Sequence, residues 1–381
     1  MGMTTNRQKM LYMRRALKLA RRGAGFVSPN PMVGAVIVRG GKIVAEGYHH
    51  LYGGNHAEVD ALKKIDYKAS GCDMYLNLEP CSHHGKTPPC VDALISSKIN
   101  AVYVGMIDPN PRVAGKGIKK LLNAGINVEV GILEKECREF NRSFIKHVIT
   151  ETPFVVGKAA ITIDGKIATS RGDSGQEDGG MSGEASHRLV HRLRHELDAI
   201  LVGAGTVIRD NPYLTARMAR GRASNPLRVV LDGKGHIPLS SNVLDVSIAE
   251  TIVVTTRASE SSWREGIKAS GAELWLMKGP GGNVDINELL ERLGSRAASL
   301  IVEGGSQIFT SFMNAAAIDR FMFFMTPMIL GGQEVPVVGG NGFNSIKDAW
   351  RLKDVSVKML DGDLLYEGTP VFDSQLEKNG K

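Results

Sequence analysis

The 381-residue chain is short of the features that mark secreted or membrane proteins. Its four cysteines, Cys72, Cys81, Cys90 and Cys137, are too few for a disulfide framework at this length, which points to a reducing, cytoplasmic compartment. No apolar run approaches the roughly 18 residues that cross a bilayer, so no membrane span is expected. No acidic residue precedes Glu46, and Arg14, Arg15, Lys18, Arg21 and Arg22 cluster there as they would in a basic targeting peptide. The apolar spacing of Leu11, Met13, Ala16, Leu17, Leu19 and Ala20 instead predicts the first helix of a domain, its basic face solvated, with no room for a removable leader before it.

What remains is a globular composition, 43% hydrophobic and 23% charged, on a chain longer than one core usually fills. Two domains are expected, residues 1–150 and 151–381, divided at Thr150-Glu151-Thr152-Pro153. The net charge of +7 favours anionic partners, nucleic acid or phosphorylated small molecules.

The chemistry is concentrated in His56-Ala57-Glu58, Glu79-Pro80-Cys81 and Pro88-Pro89-Cys90. One imidazole and two thiols make a three-ligand catalytic zinc site, with Glu58 left over as the proton carrier. Cys81 follows the strand-like Met74–Leu78 run, and Cys90 precedes the helical Val91–Ile95 run, where a helix N-terminus favours the thiolate. Nucleobase deaminases carry this inventory. Most of them place two residues between the cysteines, and this chain places eight. Cys72 and Cys137 have no partner at metal spacing, and His50 and His84 read as surface residues.

Strands and helices alternate through the first half: a hairpin at Gly34–Ala45 turning on Arg39-Gly40-Gly41-Lys42, the His56 helix, strands at Met74, Ala101–Gly105 and Ile126–Val130, and helices at Cys90 and Gly117–Asn123. A further helix-like stretch covers Glu134–His147. This is an α/β sandwich on a mixed sheet. A second alternation, with strands at Phe154–Ile163, Ala199–Val202, Leu227–Leu231, Thr251–Thr255, Ala272–Met277, Leu300–Val302 and Phe321–Ile329, predicts a mostly parallel sheet covered on both faces. Two of its strands run into glycine, at Val202-Gly203-Ala204-Gly205-Thr206 and Val302-Glu303-Gly304-Gly305-Ser306, turns suited to a phosphate or to tight packing alone. His187, His191 and His195 share a helix face among Arg188, Arg192 and Arg194, which reads as a solvated face and not as a second metal site.

Pro29-Asn30-Pro31-x-Val33-Gly34, His56-Ala57-Glu58-Val59, Leu78 through Cys90 and Asp108-Pro109-Asn110-Pro111 resemble the bifunctional riboflavin-biosynthesis deaminase/reductase family. So do Ile163-Asp164-Gly165-Lys166-Ile167-Ala168, Gly205-Thr206-Val207-x-x-Asp210-Asn211-Pro212-x-Leu214-Thr215-x-Arg217 and Val302-Glu303-Gly304-Gly305, in order across roughly residues 10 to 370. The resemblance implies a cytidine-deaminase-like α/β/α sandwich followed by a dihydrofolate-reductase-like α/β domain. It implies zinc on His56, Cys81 and Cys90, catalysis by Glu58, and substrate contacts at Asn30, His49, His83, Lys86, Asp108 and Asn110. In the second domain it implies NADPH on Lys158, Ile161, Thr206, Asp210 and the turn Gly304, Gly305, Ser306 and Gln307, with substrate on Ser174, Arg194, Leu214, Arg217 and Glu303. Arg194 and Arg217 would be phosphate clamps, and Lys158, Asp210 and Glu303 candidate proton donors.

The implied reactions are deamination of 2,5-diamino-6-(5-phosphoribosylamino)pyrimidin-4(3H)-one to the uracil, then reduction of its ribosyl group to ribityl. Small phosphorylated pyrimidines are the implied partners, with self-association and with neither nucleic acid nor membrane. One departure stands out: after Gly172-Asp173-Ser174 the family's Trp is absent and Gly175 to Gly183 is glycine-rich. An active deaminase joined to an impaired reductase is therefore the alternative. A nucleic-acid-editing deaminase would share the zinc residues but leaves the second domain unexplained, and a regulatory protein with a degenerate reductase half is the other rival.

Overall fold

The computed structural model describes residues 5–372 apart from 86–87, 112, 171–172, 174–179, 220, 222 and 341. The chain forms two compact units, Met1–Glu151 and Thr152–Lys381. No helix among the described residues is long and apolar enough to cross a membrane.

Unit 1 opens with α1 (Asn6–Ala20), capped by reciprocal hydrogen bonds between Thr5 and Gln8. The hairpin β1 (Gly34–Arg39) and β2 (Lys42–Tyr48) turns at Gly40 and Gly41, whose positive φ angles of 56° and 77° suit a two-residue type I′ turn. Then follow α2 (Ala57–Lys63), β3 (Asp73–Leu76), α3 (Cys90–Ser96), β4 (Ala101–Val104), α4 (Lys116–Asn123), β5 (Asn127–Val130), α5 (Glu134–Phe140) and α6 (Arg142–Thr150). The sheet order is β2-β1-β3-β4-β5, antiparallel through β3 and parallel from β3 to β5.

Side chains alternate across this sheet, so each strand feeds two cores. Ala35, Ile37, Met74 and Leu76 pack with Ala61, Leu62, Leu94 and Leu121 of α2, α3 and α4. Val36, Val38 and Tyr75 pack with Met13, Ala16, Leu19 and Cys137 of α1 and α5. The α1 stripe is narrower than its spacing predicts, because Leu11 is exposed, and Arg15 leaves the solvated face to pair with Glu46 at 2.6 Å. The single helix expected over Glu134–His147 is broken at Asn141, whose buried amide binds both the N–H and the C=O of Met32.

Unit 2 runs β6 (Phe154–Ile161), β7 (Lys166–Ala168), α7 (Glu184–Glu196), β8 (Ala199–Gly203), α8 (Ala204–Asp210), β9 (Leu227–Leu231), β10 (Thr251–Thr255), α9 (Ser261–Ala269), β11 (Glu273–Leu276), α10 (Ile286–Gly294), β12 (Ser299–Val302), α11 (Ser306–Asn314), β13 (Arg320–Met325), β14 (Val335–Pro336), β15 (Arg351–Leu360) and β16 (Asp363–Val371). Nine strands form one sheet in the order β11-β10-β9-β8-β12-β6-β13-β16-β15. The helices α10 and α11 cover one face through Leu289, Leu293, Phe309 and Phe312. On the other face α7, α8 and α9 supply Leu193, Val207 and Ile267.

Two expectations for this unit are corrected. The final strand stops at Met325 rather than Ile329, since Pro327 has no N–H for a ladder. The sheet then gains two antiparallel strands, β16 on β13 and β15 on β16. They escape a periodicity reading because β15 is exposed along most of its length and a bulge between Lys353 and Ser356 shifts its alternation.

Gly47 shows how closely α2 lies on the hairpin: a Cβ there would stand 2.3 Å from the Ala57 carbonyl and 2.5 Å from the Ala61 nitrogen. Gly47→Ala is expected to destabilise unit 1 by about 1–3 kcal/mol, the usual cost of overpacking. Chemical denaturation of the variant against wild type checks this, and an unchanged midpoint would show that α2 can move aside freely.

Candidate active sites

In unit 1 the start of α2, the exit of β3 and the start of α3 meet at one point. His56 is the extended residue that precedes α2, and Cys90 is the first residue of α3. His56 Nδ1 lies 3.5 Å from Cys81 Sγ and 3.3 Å from Cys90 Sγ. A tetrahedral zinc with bonds of about 2.0–2.1 Å to nitrogen and 2.3 Å to sulfur needs an N···S edge of roughly 3.6 Å. The three ligand atoms lie within 4.8 Å of one another, so the donor set fits zinc in distance and in chemistry.

The electrostatics suit a thiolate site. Hydrogen bonds from the Cys90 thiol and then from His56, against the opposing effect of burial, draw Cys81 down to about 4. The first amide of α3, Cys90 N–H, also points at Cys81 Sγ at 3.3 Å. Cys90 is pushed up by its neighbouring sulfur and by burial, and a coordinated cation is what would strip its proton. Glu58 is 3% exposed, and burial, helped by the Cys81 charge, raises its carboxyl to about 7. That value suits a group that takes and returns a proton near neutrality.

These groups open into a cavity of about 360 Å³ lined also by Asn30, His49, His83, Asp108 and Asn110. Five of the six expected substrate residues are thus brought together, and the sixth, Lys86, lies outside the described residues. His49 Nδ1 faces the Asn55 carbonyl at 2.9 Å, which leaves Nε2 as acceptor for the Asn30 amide at 3.1 Å. Burial lowers the His49 pKa and keeps the ring neutral in that role. Burial also raises Asp108, whose carboxylate accepts the Asn110 N–H. His50 and His84 are exposed, as expected.

In unit 2, β12 lies between β6 and β8, although it follows both in sequence. Ligands in open parallel sheets bind at such reversals, beyond the strands' carboxyl ends. Lys158 on β6, Arg194 on α7 and Glu303 just after β12 meet there. Arg194 forks onto Glu303 at 2.8 and 2.9 Å, and Lys158 Nζ stands 3.6 Å from the same carboxylate. Burial alone would raise Glu303, but Arg194 and Lys158 outweigh it and hold the group at about 2. Thr206 and Asp210 lie on α8, directly after β8, and Gly304, Gly305, Ser306 and Gln307 lead from Glu303 into α11. A Cβ on Gly205 or Gly305 would meet nothing within 4 Å, so both backbones are open to a close ligand such as a pyrophosphate.

Two family models and four known proteins bear on this geometry. Residues 6–106 match the cytidine and deoxycytidylate deaminase zinc-binding region, and residues 153–366, more than half of the chain, match the RibD C-terminal domain. The riboflavin biosynthesis protein RibD of Aquifex aeolicus is 41% identical over 93% of this chain and 96% of its own length. The chain belongs to the RibD family. RibD of Actinobacillus pleuropneumoniae is 39% identical over 93% of this chain and 94% of its own. The solved Acinetobacter baumannii RibD, form 1, superposes with a TM-score of 0.86 at 31% identity, covering 96% of this chain and 100% of that one. A diaminohydroxyphosphoribosylaminopyrimidine deaminase/5-amino-6-(5-phosphoribosylamino)uracil reductase from Thermotoga maritima gives a TM-score of 0.82 at 37% identity, over 96% and 99%. This RibD-family chain is a bifunctional enzyme, a deaminase and a reductase of riboflavin biosynthesis, with the expected cytidine-deaminase-like and reductase folds.

Several RibD residues stand differently from their sequence reading. Arg194 has its fork occupied by Glu303 and is not free for a phosphate. Arg217 is exposed, and Leu214 is buried in the core with Val202 and Val207, so it can offer a ligand only its backbone. Ile161 is buried in the sheet. Ser174 and most of the altered segment after it lie outside the described residues. The three histidines of α7 are not a solvated face: His195 is buried, and His187 and His191 are half-buried.

The reading of residues alone missed Glu79, Phe144 and Val148, which also line the unit 1 cavity. Glu79 is buried and accepts backbone N–H bonds from Asp108, Gly115, Gly117 and Ile118, fixing the Asp108–Asn110 loop beside the metal ligands. Its place in Glu79-Pro80-Cys81, beside a metal-ligand candidate, was the sequence signal, but nothing there showed that the carboxylate serves backbone amides. Phe144 and Val148 sit on α6, far along the chain from any motif.

Cys81→Ser is expected to lose zinc and deamination together, because a hydroxyl replaces a thiolate ligand poorly. Metal analysis checks it, and full zinc occupancy in the variant would refute the ligand assignment. In unit 2, Glu303→Gln strands two buried cations and is expected to cost about 3–5 kcal/mol. Because the folded pKa of Glu303 falls from its ordinary 4.5 to about 2, its contribution is present above pH 4.5 and lost as pH falls toward 2. Acid titration of stability should therefore be steeper in wild type than in Glu303→Gln across that window, and parallel curves would contradict it.

Proposed function

We propose that unit 1 removes the 2-amino group of 2,5-diamino-6-(5-phosphoribosylamino)pyrimidin-4(3H)-one as ammonia, and that unit 2 reduces the ribosyl group of the resulting 5-amino-6-(5-phosphoribosylamino)uracil to ribityl with NADPH. The observation that carries the first half is the triangle of His56, Cys81 and Cys90 beside a buried carboxyl, inside a cavity rimmed by amide, imidazole and carboxylate groups. Zinc held there would supply a water of lowered pKa as the nucleophile.

The chain's own residues account for the proton movements. Glu58, near 7, carries one proton from the attacking water to the ring nitrogen and then the second, from the newly formed hydroxyl, to the departing amine, so that water oxygen replaces nitrogen and ammonia leaves. Neutral His49 and Asn30 present a fixed donor–acceptor pair to the substrate, and Asp108 and Asn110 a second one. His83, at the exposed mouth, and Lys86 between the two cysteines would meet the ribose phosphate.

NADPH held at Thr206, Asp210 and the Gly304–Gln307 turn would supply the two electrons of the second step. Glu303, ionised down to about pH 2, is a poor proton donor and instead orients Lys158 and Arg194. Lys158 and Asp210, the latter raised by burial, are the remaining candidates for protonating the opened sugar. Arg217 on its exposed loop meets the phosphate. With this reading go a cytoplasmic, self-associating enzyme that takes no nucleic acid and no membrane, and domains whose activities divide near residue 150. The intact Lys158–Glu303–Arg194 cluster supports a working reductase over an impaired one.

Glu58→Gln tests the assignment. It is expected to retain zinc and to lose ammonia release by at least about a hundredfold. Supplied with already deaminated substrate, the same protein should oxidise NADPH at close to the wild-type rate. Loss of zinc would make Glu58 a ligand, and loss of both activities in zinc-loaded protein would overturn the division of labour.

A further inference from the structure

The imidazoles of α7 belong to no step above, yet two of them are engaged in the same way. His191 Nδ1 accepts the backbone N–H of Arg217 at 3.2 Å, and His195 Nδ1 accepts the backbone N–H of Ser224 at 3.0 Å. Arg194 Nη1, from the next turn, donates to the Thr215 carbonyl at 3.3 Å. Leu214 is pinned in the core just before this stretch, and Ala216 N–H is held by Asn225 Oδ1 at 3.1 Å. Two successive turns of one helix therefore grip the chain at Arg217, which is offered to the reductase substrate, and again at Ser224 beyond it.

We propose that His191 and His195 are positioning residues of the reductase, holding the loop that presents Arg217 through hydrogen bonds only neutral imidazoles can accept. The proposal rests on the reductase reading of unit 2. Nothing else about these histidines explains the pattern: with both Nδ1 atoms already taken by amides, neither is free to ligate a metal through that atom. A protonated imidazole has no acceptor, so acid turns the His191 contact into a clash of two donors.

The groups facing His191 favour the neutral ring through most of the working range. Burial, then Arg194 on its own helix and Arg217 on the loop, lower its pKa, against Thr215 and Glu303 across the site. The bond from Arg217 is thus present at neutral pH and lost as pH falls through the lowered value. Substrate binding in the reductase, and not its chemical step, is what should respond.

The test uses the full chain with zinc bound. His191→Leu removes the acceptor, whereas His191→Asn places an amide oxygen near Nδ1 that does not titrate. The expected result for His191→Leu is a KM for the phosphoribosylaminouracil, and a calorimetric Kd measured without NADPH, raised on the order of two- to tenfold with kcat little changed, the scale of one hydrogen bond. His191→Asn should restore both constants at neutral pH. The ratio of wild-type KM to His191→Asn KM should climb as pH falls, a comparison in which the substrate phosphate's own titration cancels. An unchanged Kd in His191→Leu, an asparagine variant as weak as the leucine one, or a flat ratio would each overturn the proposal. Wild-type protein that neither binds nor reduces the uracil would overturn the reductase reading beneath it.

Discussion

Parallel strand pairing decides where the chemistry of both units can stand. Parallel strands joined by helices end at one edge of the sheet, and each following helix begins there with free N–H groups. In unit 1, β3 and β4 pair in parallel, so Glu79 and Cys81 after β3 and Asp108 and Asn110 after β4 emerge side by side. In unit 2, β12 inserts between β6 and β8, and its exit sets Glu303 against Lys158 and Arg194. Groups from 27 residues apart, Cys81 and Asp108, to 145 apart, Lys158 and Glu303, are thereby gathered without any local motif linking them.

Each unit sets a buried glutamate at the centre of its site, Glu58 and Glu303, and their surroundings shift the two in opposite directions. Glu58 shares its pocket with thiols and an imidazole, with no guanidinium or ammonium beside it among the described residues, and burial raises it to about 7. Glu303 is buried too, but two cations hold it at about 2. The first can exchange a proton under working conditions and the second cannot. The same residue type is a proton carrier in one unit and a permanent anion in the other because of what stands within hydrogen-bond reach.

How far this was legible in the sequence follows from which interactions demand particular residues. Zinc accepts few donor types, so His56, Cys81, Cys90 and Glu58 stand out wherever they occur, and alternating apolar strands such as Val36–Val38 declare a two-faced sheet. Backbone-directed contacts leave no comparable mark. Glu79 holds four amides whose identity is irrelevant to it, and His191 and His195 hold two more. The three imidazoles of α7, set among arginines, read as a solvated face, yet His195 is buried and His187 and His191 are half-buried. The fork of Arg194 looked free for phosphate because its partner, Glu303, lies 109 residues away. Exposed β15 failed for the opposite reason, having too little buried surface to pattern, and β16 hides its alternation by placing Asp363 and Glu367 at buried positions.

The glycine turns of unit 2 show the same limit at the scale of one atom. Gly203 and Gly304 are small because α11 is near: a Cβ on either would come within 2.8 Å of Ile308. Gly205 and Gly305, one or two residues further on, face open space. As letters the four are alike. In the fold one pair lets the helix reach the sheet, and only then does the other pair come to rest where a ligand's oxygens could approach bare backbone. Close packing by the first pair is thus the precondition for binding by the second, and a turn that had only one of the two could not serve both purposes.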